Sequence, residues 1–531
     1  MSTRRSFGIL LIIAIAAAAV FSYQPAMAAQ PFKFSRSFGI LLHPTSLPAK
    51  HGIGDLGESA YKFVDYLGSC GASLWQTLPI GPTGYGDSPY ASLSAFAGNP
   101  LLISPDILAA EGLLSPSDLA YIPDFPETKV DFGAVINYKR NLFNRAYENF
   151  RALKSGPLVR EYKRFVEAND ALWLDDFTLF MALKEKHGGA AWCDWDPSLV
   201  RRDKKALSKA RIELSGQTGF FKFLQFTFFR QWNELKKYAN ARGVKLIGDI
   251  PIFVAYDCAD VWVHPELFRL DEKGKPLVVA GVPPDFFSAT GQYWGNPIYE
   301  WKAMKKNNFA WWVARFKNTL GMFDIIRIDH FRGFEAYWEI PAAEKTAVKG
   351  RWVKAPGRGL FAAVRKALGE LPIIAEDLGV ITPEVETLRD EFGFYGMKIL
   401  QFGFSGNAGD AAKYLPHTFT TSRAVVYTGT HDNETSAGWY KNLDEKIKKL
   451  FRDYTASDGW NPAGEMVRLA AASVCDIAIV PMQDIIAIDN AGRMNTPGTF
   501  GDRNWSYRIK AGELKMIDAI RIKRYCRLFG R

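Results

Sequence analysis

Cysteine is scarce in this chain. Cys70, Cys193, Cys258, Cys475 and Cys526 are the only five in 531 residues. They are widely scattered and form no CxxC pair, which excludes a disulfide framework and a thiolate zinc site. Histidine is also sparse, at seven. No HExxH spacing or His-rich cluster occurs, so a zinc site built on imidazoles is not expected. A phosphate loop is missing too. The glycines of 84–86 are followed by no Lys-Ser/Thr pair and no helix start. Asp257, Asp260 and Asp271 lack the spacing of a tight oxygen-ligand loop for calcium. No cofactor and no metal is therefore expected. Past residue 30 there is no second apolar run of spanning length, so no membrane partner is expected of the mature chain. Internal repeats and low-complexity tracts are absent as well.

What is present is an ordinary globular composition, 48% hydrophobic and 23% charged. Net charge is +10. That alone would permit nucleic-acid binding, but the charge is not spread evenly. Residues 510–531 hold seven basic side chains against Glu513 and Asp518, half of the excess. This end reads as a solvated basic tail, 509–531, with a helix as one form for it and an anionic surface or polymer as the sharper alternative. Residues 1–28 read as an export signal. Arg4 and Arg5 are followed by an uncharged apolar run over 8–21 and by a small–x–small cleavage pattern, Ala26-Met27-Ala28. The twin arginine implies export of a folded protein to the periplasm, with a cytoplasmic location as the alternative.

Eight short apolar runs recur, at 38–42, 73–80, 244–250, 323–329, 372–377, 397–402, 424–428 and 475–480. Helical pieces such as 57–67 and 383–392 lie between several of them. Alternating buried strands and helices predict a parallel sheet, and eight strands predict a (β/α)8 barrel over 29–508. A mainly helical subdomain is expected as an insertion at about 103–242. Its helices are read at 115–119, 137–155, 158–186 and 218–242. Residues 257–299, rich in Gly, Pro and aromatics, read as a functional loop.

The acids mark the site. Asp249, Asp329, Glu376 and Asp432 each fall at or just after the carboxyl end of an expected strand, the catalytic end of such barrels. One alone could cap a helix or pair in the core. Four converging acids point to chemistry, because burying an unpaired carboxylate is costly. Paired acids with many aromatics suggest glycoside chemistry, in which one acid attacks the anomeric carbon and another moves the proton. Aromatics make up 14% of the chain. Most are core, but Tyr85, Tyr90, Trp294 and Trp301 fall in Gly/Pro-rich loops and read as sugar-facing rings. Arg327 shares a strand face with Asp329, two residues away, and would keep it ionised. Asp377 follows Glu376 directly and should point away from the site. The formal glycosylation sequons at Asn433 and Asn504 lie inside core motifs and read as accidental.

Ten segments carry a family likeness: HPTSLP at 43–48, WQTLPIGPTGYGDSPY at 75–90, SAFAGNP at 94–100, GDIPIF at 248–253, GVPPDFF at 281–287, GQYWGNP at 291–297, RIDHFRG at 327–333, AEDLG at 375–379, GTHDNET at 429–435 and Asn504-Trp505. With these the sequence resembles the amylomaltases, the 4-alpha-glucanotransferases or disproportionating enzymes of glycoside hydrolase family 77. The likeness runs from about 38 to 508. It implies that Asp329 is the nucleophile, Glu376 the acid/base and Asp432 the stabiliser of the transition state. It implies that His330 and His431 bond the same sugar, and that Tyr90, Asp249, Gln292, Trp294 and Asn495 line the cleavage site. The implied partners are α-1,4-glucans (maltooligosaccharides, starch or glycogen) as donor and acceptor, with glucose as a further acceptor and no nucleic acid. A retaining α-1,4-glucan hydrolase is the alternative. The export signal and the basic tail depart from the family pattern.

Overall fold

The computed structural model describes residues 32–284, 288–405, 411–499, 501 and 503–531. The expected export signal lies outside the described residues. The described strands are β1 (Ser37–Leu41), β2 (Leu74–Gln76), β3 (Lys245–Pro251), β4 (Val278–Val282), β5 (Gln292–Pro297), β6 (Ile325–Asp329), β7 (Ala336–Pro341), β8 (Arg351–Lys354), β9 (Ile373–Ala375), β10 (Gly396–Ile399), β11 (Ala424–Tyr427) and β12 (Ile477–Pro481). Eight of them, β1, β2, β3, β6, β9, β10, β11 and β12, pair in parallel in chain order, and β12 returns to β1. The Ala375 amide donates to the Tyr395 carbonyl at 2.8 Å, closing the ring between β9 and β10. All eight expected runs are barrel strands.

Strand alternation splits the apolar residues into two sets. Leu41, Leu74, Ile247, Ile325, Ile374, Met397, Val425 and Ile477 form one buried cluster, the barrel interior, with Phe34 packed edge-on to Tyr395. Phe38, Ile40, Leu246, Ile326, Ile328, Val426 and Val480 face outward and pack with helix residues such as Phe63, Phe228 and Trp232. Burying each such side chain stabilises the fold by about 1.5–3 kcal/mol. The same alternation fixes the site. Asp249 lies two residues beyond Ile247, and Arg327 and Asp329 two and four beyond Ile325, so all three face the interior.

Between β2 and β3 run the helices Phe132–Ala152, Pro157–Asn169, Asp175–Lys186, Lys204–Glu213 and Ser215–Ala241. The last also packs against β3 and the helix Glu58–Cys70, so it serves as a wall of the barrel itself. Residues 115–119, expected as helix, form turns. The Ser115 amide and hydroxyl both donate to Asp118, at 2.7 and 2.6 Å, a local closure that competes with helix formation.

Two further readings are corrected. Residues 257–299 are not one unbroken loop. They contain the helix Ala259–Val263 and strands β4 and β5, which join β7 and β8 in an antiparallel sheet of order β5-β4-β7-β8. A register shift between Val279 and Gly281 breaks the alternation that would have announced the strand. Gly281 is required there, since a Cβ would stand 2.2 Å from the Gln292 carbonyl oxygen. The basic end is not simply solvated. The helix Met516–Leu528 buries Ala519, Ile522 and Cys526 and packs along Glu58–Cys70. The Arg531 guanidinium donates to the carbonyls of Ala471 (2.6 Å), Ser37 (3.0 Å) and Ser473 (3.1 Å).

Candidate active site

The parallel register of β3 and β6 sets Asp249 directly beside Arg327. Arg327 Nη1 donates to Asp249 Oδ2 at 2.5 Å, and Nη2 to Asp329 Oδ1 at 3.2 Å. Tyr90 donates its hydroxyl to the same Asp249 oxygen at 2.8 Å. One buried guanidinium therefore joins two acids, and its tighter bond goes to Asp249. Burial raises Asp249 to about 7 and lifts Asp329 above the usual carboxylate range, while Arg327 opposes both shifts. Asp249 Oδ1 is buried with no partner, an exception to the rule that buried polar atoms are bonded.

Glu376 follows the last residue of β9 and is locked to β6. Its amide donates to the Ile328 carbonyl at 2.9 Å. Its carboxylate accepts from the His330 amide at 2.7 Å (Oε2) and the Leu378 amide at 3.1 Å (Oε1). Burial first, and the negative charge of Asp329 second, raise it to about 8. At neutral pH Glu376 therefore holds its proton. His330 reaches Glu376 because its backbone is left-handed, with φ 52°, a costly conformation for a non-glycine residue. Burial lowers the His330 imidazole to about 4, so it is neutral, and its Nε2 is buried without a partner. Asp377 points the other way, accepting from Arg389 at 2.5 Å and the Met397 amide at 2.7 Å.

Asp432 lies in the loop after β11. Asn495 Nδ2 donates to its Oδ1 at 2.6 Å, and His431 Nε2 stands 3.4 Å from its Oδ2. Arg493, not singled out from the sequence, clamps the backbone there. It donates to the Asp432 carbonyl at 2.7 Å and the Asn495 carbonyl at 2.8 Å. Its position two residues before Asn495 was the only available clue. Tyr90, bonded to Asp249, stacks on His431, and His431 stands beside Asp432, so the two sides of the barrel mouth meet there.

Aromatic rings line this mouth. Tyr90 stacks on His431, with centroids 5.2 Å apart, and Trp505 stands 5.7 Å from Tyr90. Trp505, of the Asn504-Trp505 segment, also meets His431 at 6.0 Å and completes the rim on that side. On β5, Trp294 Nε1 donates to Gln292 Oε1 at 3.1 Å, and its indole meets His330 edge-on at 4.9 Å. It remains 37% exposed. Trp301 does not belong to the site: it starts the helix Trp301–Lys306 and is buried against Tyr299.

Asp257, Asp260 and Asp271 are each taken by other groups. Asp257 pairs with Lys184, Asp260 accepts from the Ala95 amide and Trp311, and Asp271 closes a turn through the Lys273 and Lys275 amides. Among the described residues no three His, Cys, Asp or Glu side chains gather as a metal cluster. Both sequon asparagines are engaged internally, Asn433 with Thr430 and Asn504 with Thr496 and Thr499.

A (β/α)8 barrel whose mouth gathers a protonated carboxyl, a second acid held by arginine and a rim of aromatic rings has the makings of a sugar-processing enzyme of the two-carboxylate class. The family model described as 4-alpha-glucanotransferase matches residues 42–515. The chain belongs to that family, glycoside hydrolase family 77. It is 48% identical over 495 residues to the 4-alpha-glucanotransferase of Thermus thermophilus, covering 92% of this chain and 97% of the relative. It is 49% identical over 486 residues to that of Synechocystis, covering 90% and 95%. The solved amylomaltase from Streptococcus agalactiae, in complex with acarbose, superposes with a TM-score of 0.90 at 41% identity, over 93% of this chain and 99% of that one.

Proposed function

We propose that this 4-alpha-glucanotransferase works by a retaining double displacement in which Asp329 carries the sugar. Asp329 attacks C1 of a glucosyl unit in an α-1,4-glucan. The C1–O4 bond breaks, and Glu376 gives its proton to the departing O4. The first fragment leaves. The 4-hydroxyl of a second glucan, or of glucose, then attacks C1, Glu376 takes back a proton, and Asp329 is released. Asp432, held by Asn495 and His431, grips sugar hydroxyls while positive charge develops on the ring. Asp249 Oδ1 and His330 Nε2 offer the same sugar an acceptor and a nitrogen that no protein group uses. The observation that carries this reading is the setting of two neighbouring acids that burial raises together: Glu376 goes to about 8, while Asp329 is bonded to Arg327, which opposes its shift. Maltooligosaccharides, starch and glycogen are the natural substrates on this reading. Incubation with maltotriose tests it. A ladder of longer oligosaccharides plus glucose is the expected product. Glucose and maltose alone would mean that water is the acceptor.

The raised acid sets the pH profile. Glu376 keeps its proton up to about 8, so kcat/KM for maltotriose should fall on the alkaline side with a midpoint near that value. An alkaline limb unchanged in Glu376→Gln would assign it to another group.

Trp294 covers the site from β5 and keeps water from the glycosyl-enzyme. Trp294→Ala should raise the share of hydrolysis over transfer several-fold. Because the ring is partly exposed, stability should fall by about 1 kcal/mol or less, well below the 3–5 kcal/mol of a buried aromatic. Thermal melting alongside product ratios checks both parts.

The first 28 residues would direct export to the periplasm. Cleavage after Ala28, read by N-terminal sequencing of the periplasmic fraction, is the expected result. A cytosolic protein beginning at Met1 or Ser2 would contradict it.

A further inference from the structure

The family model ends at residue 515, and the next residue opens a 13-residue helix, Met516–Leu528. Its inner face is fixed. Ala519, Ile522 and Cys526 are buried against Glu58–Cys70, and the helix also packs against Pro462–Ala472. Its outer face is one continuous stripe at spacings of three and four: Met516, Ile517, Ile520, Lys523, Arg524, Arg527 and Leu528, all exposed. The apolar members are exposed by 60% (Met516), 67% (Ile517), 57% (Ile520) and 66% (Leu528). A surface usually scatters such side chains singly. Here they share a stripe with three fixed cations, and the stripe carries no acid. Asp518 lies off it, accepting from Arg521 at 3.0 Å.

We infer that this stripe docks the enzyme on an anionic lipid surface. Aliphatic side chains beside lysine and arginine on one helix face are the composition of an in-plane membrane helix, with the apolar group entering the headgroup boundary and the cations meeting lipid phosphates. Charge complementarity picks this occupant. Self-pairing would bring cations together with no acid to offset them. Nucleic acid would match the charge but leave Met516, Ile517 and Ile520 unused. No described helix is long and apolar enough to cross a bilayer, so the contact is peripheral. The position suits catalysis as well. Arg531, just past the helix, is tied to Ser37 and Asp476 at the amino ends of β1 and β12. The site opens at the opposite ends of the strands, so docking leaves the glucan entrance free.

The test uses the chain from Ala29, so that the leading apolar run contributes nothing. The described fold lies within Phe32–Arg531, which forms one compact unit. Binding is measured by co-sedimentation with phosphatidylcholine vesicles, with and without phosphatidylglycerol, at low and high salt. The expected result is binding to the anionic vesicles alone, weakened by salt. Exchanging Lys523, Arg524 and Arg527 for glutamine should reduce it by roughly a hundredfold. Ile517→Ser with Ile520→Ser should reduce it at unchanged charge. Melting temperature and maltotriose turnover in solution should not change in either variant. Equal binding by the parent and the glutamine variant, or no preference for anionic vesicles, would overturn the inference. So would light scattering that shows a dimer lost in the same variants, because the stripe would then join two copies of this chain.

Discussion

Asp329→Asn yields a folded protein that neither lengthens nor shortens maltotriose. The amide keeps the shape of the carboxylate and can still accept from Arg327, so the melting temperature should stay close to the parent's. It cannot form the ester to C1. Losing a covalent nucleophile while the rest of the site persists costs on the order of 10⁴-fold or more in kcat. Because the Asp329 charge helps to hold Glu376 up at about 8, the Glu376 carboxyl should also titrate lower in this variant. Near-normal turnover in pure Asp329→Asn would remove the residue from the mechanism.

Glu376→Gln should fail differently. With maltotriose as donor the leaving O4 needs a proton, and kcat should fall by about 10²–10⁴-fold. With α-maltosyl fluoride as donor the leaving group needs none, so the first step should run at a rate near the parent's. The glycosyl-enzyme should then persist, because no base activates the acceptor hydroxyl. Azide, which has no proton to lose, should discharge it and give an α-configured maltosyl azide. Asp329→Asn should be rescued by neither reagent. Equal loss with both donors in Glu376→Gln would mean that Glu376 is not the proton donor.

The barrel was legible because each of its strands is buried on both faces and so reads as a short apolar run, as at Ile477–Pro481. The acids were legible because they interrupt those runs where a buried charge is costly, as Asp329 does at the end of β6. The second sheet was not legible. Strand β5 is Gln-Tyr-Trp-Gly-Asn-Pro, half-exposed and broken by Gly295, and β4 loses its register at Gly281. The pairing of Asp432 with Asn495 spans 63 residues of sequence and exists only in the fold. The tighter bond of Arg327 to Asp249 comes from the register between neighbouring strands, which the two-residue spacing to Asp329 could not reveal. Trp301 and Trp294 lie in similar aromatic, Pro-containing sequence, yet one is a core residue and the other faces the site. The basic end hid its buried stripe because Ala519, Ile522 and Cys526 alternate with cations at helical spacing.

The most direct test of the mechanism is to trap the sugar on the protein. Glu376→Gln is mixed with α-maltosyl fluoride, quenched in acid and digested, and its peptides are read by mass spectrometry. A maltosyl adduct on the peptide holding Asp329 is the expected result, absent when Asp329→Asn is added to the same protein. An adduct on Asp432 or Asp249, or a β-configured product released with no adduct, would contradict a retaining displacement through Asp329.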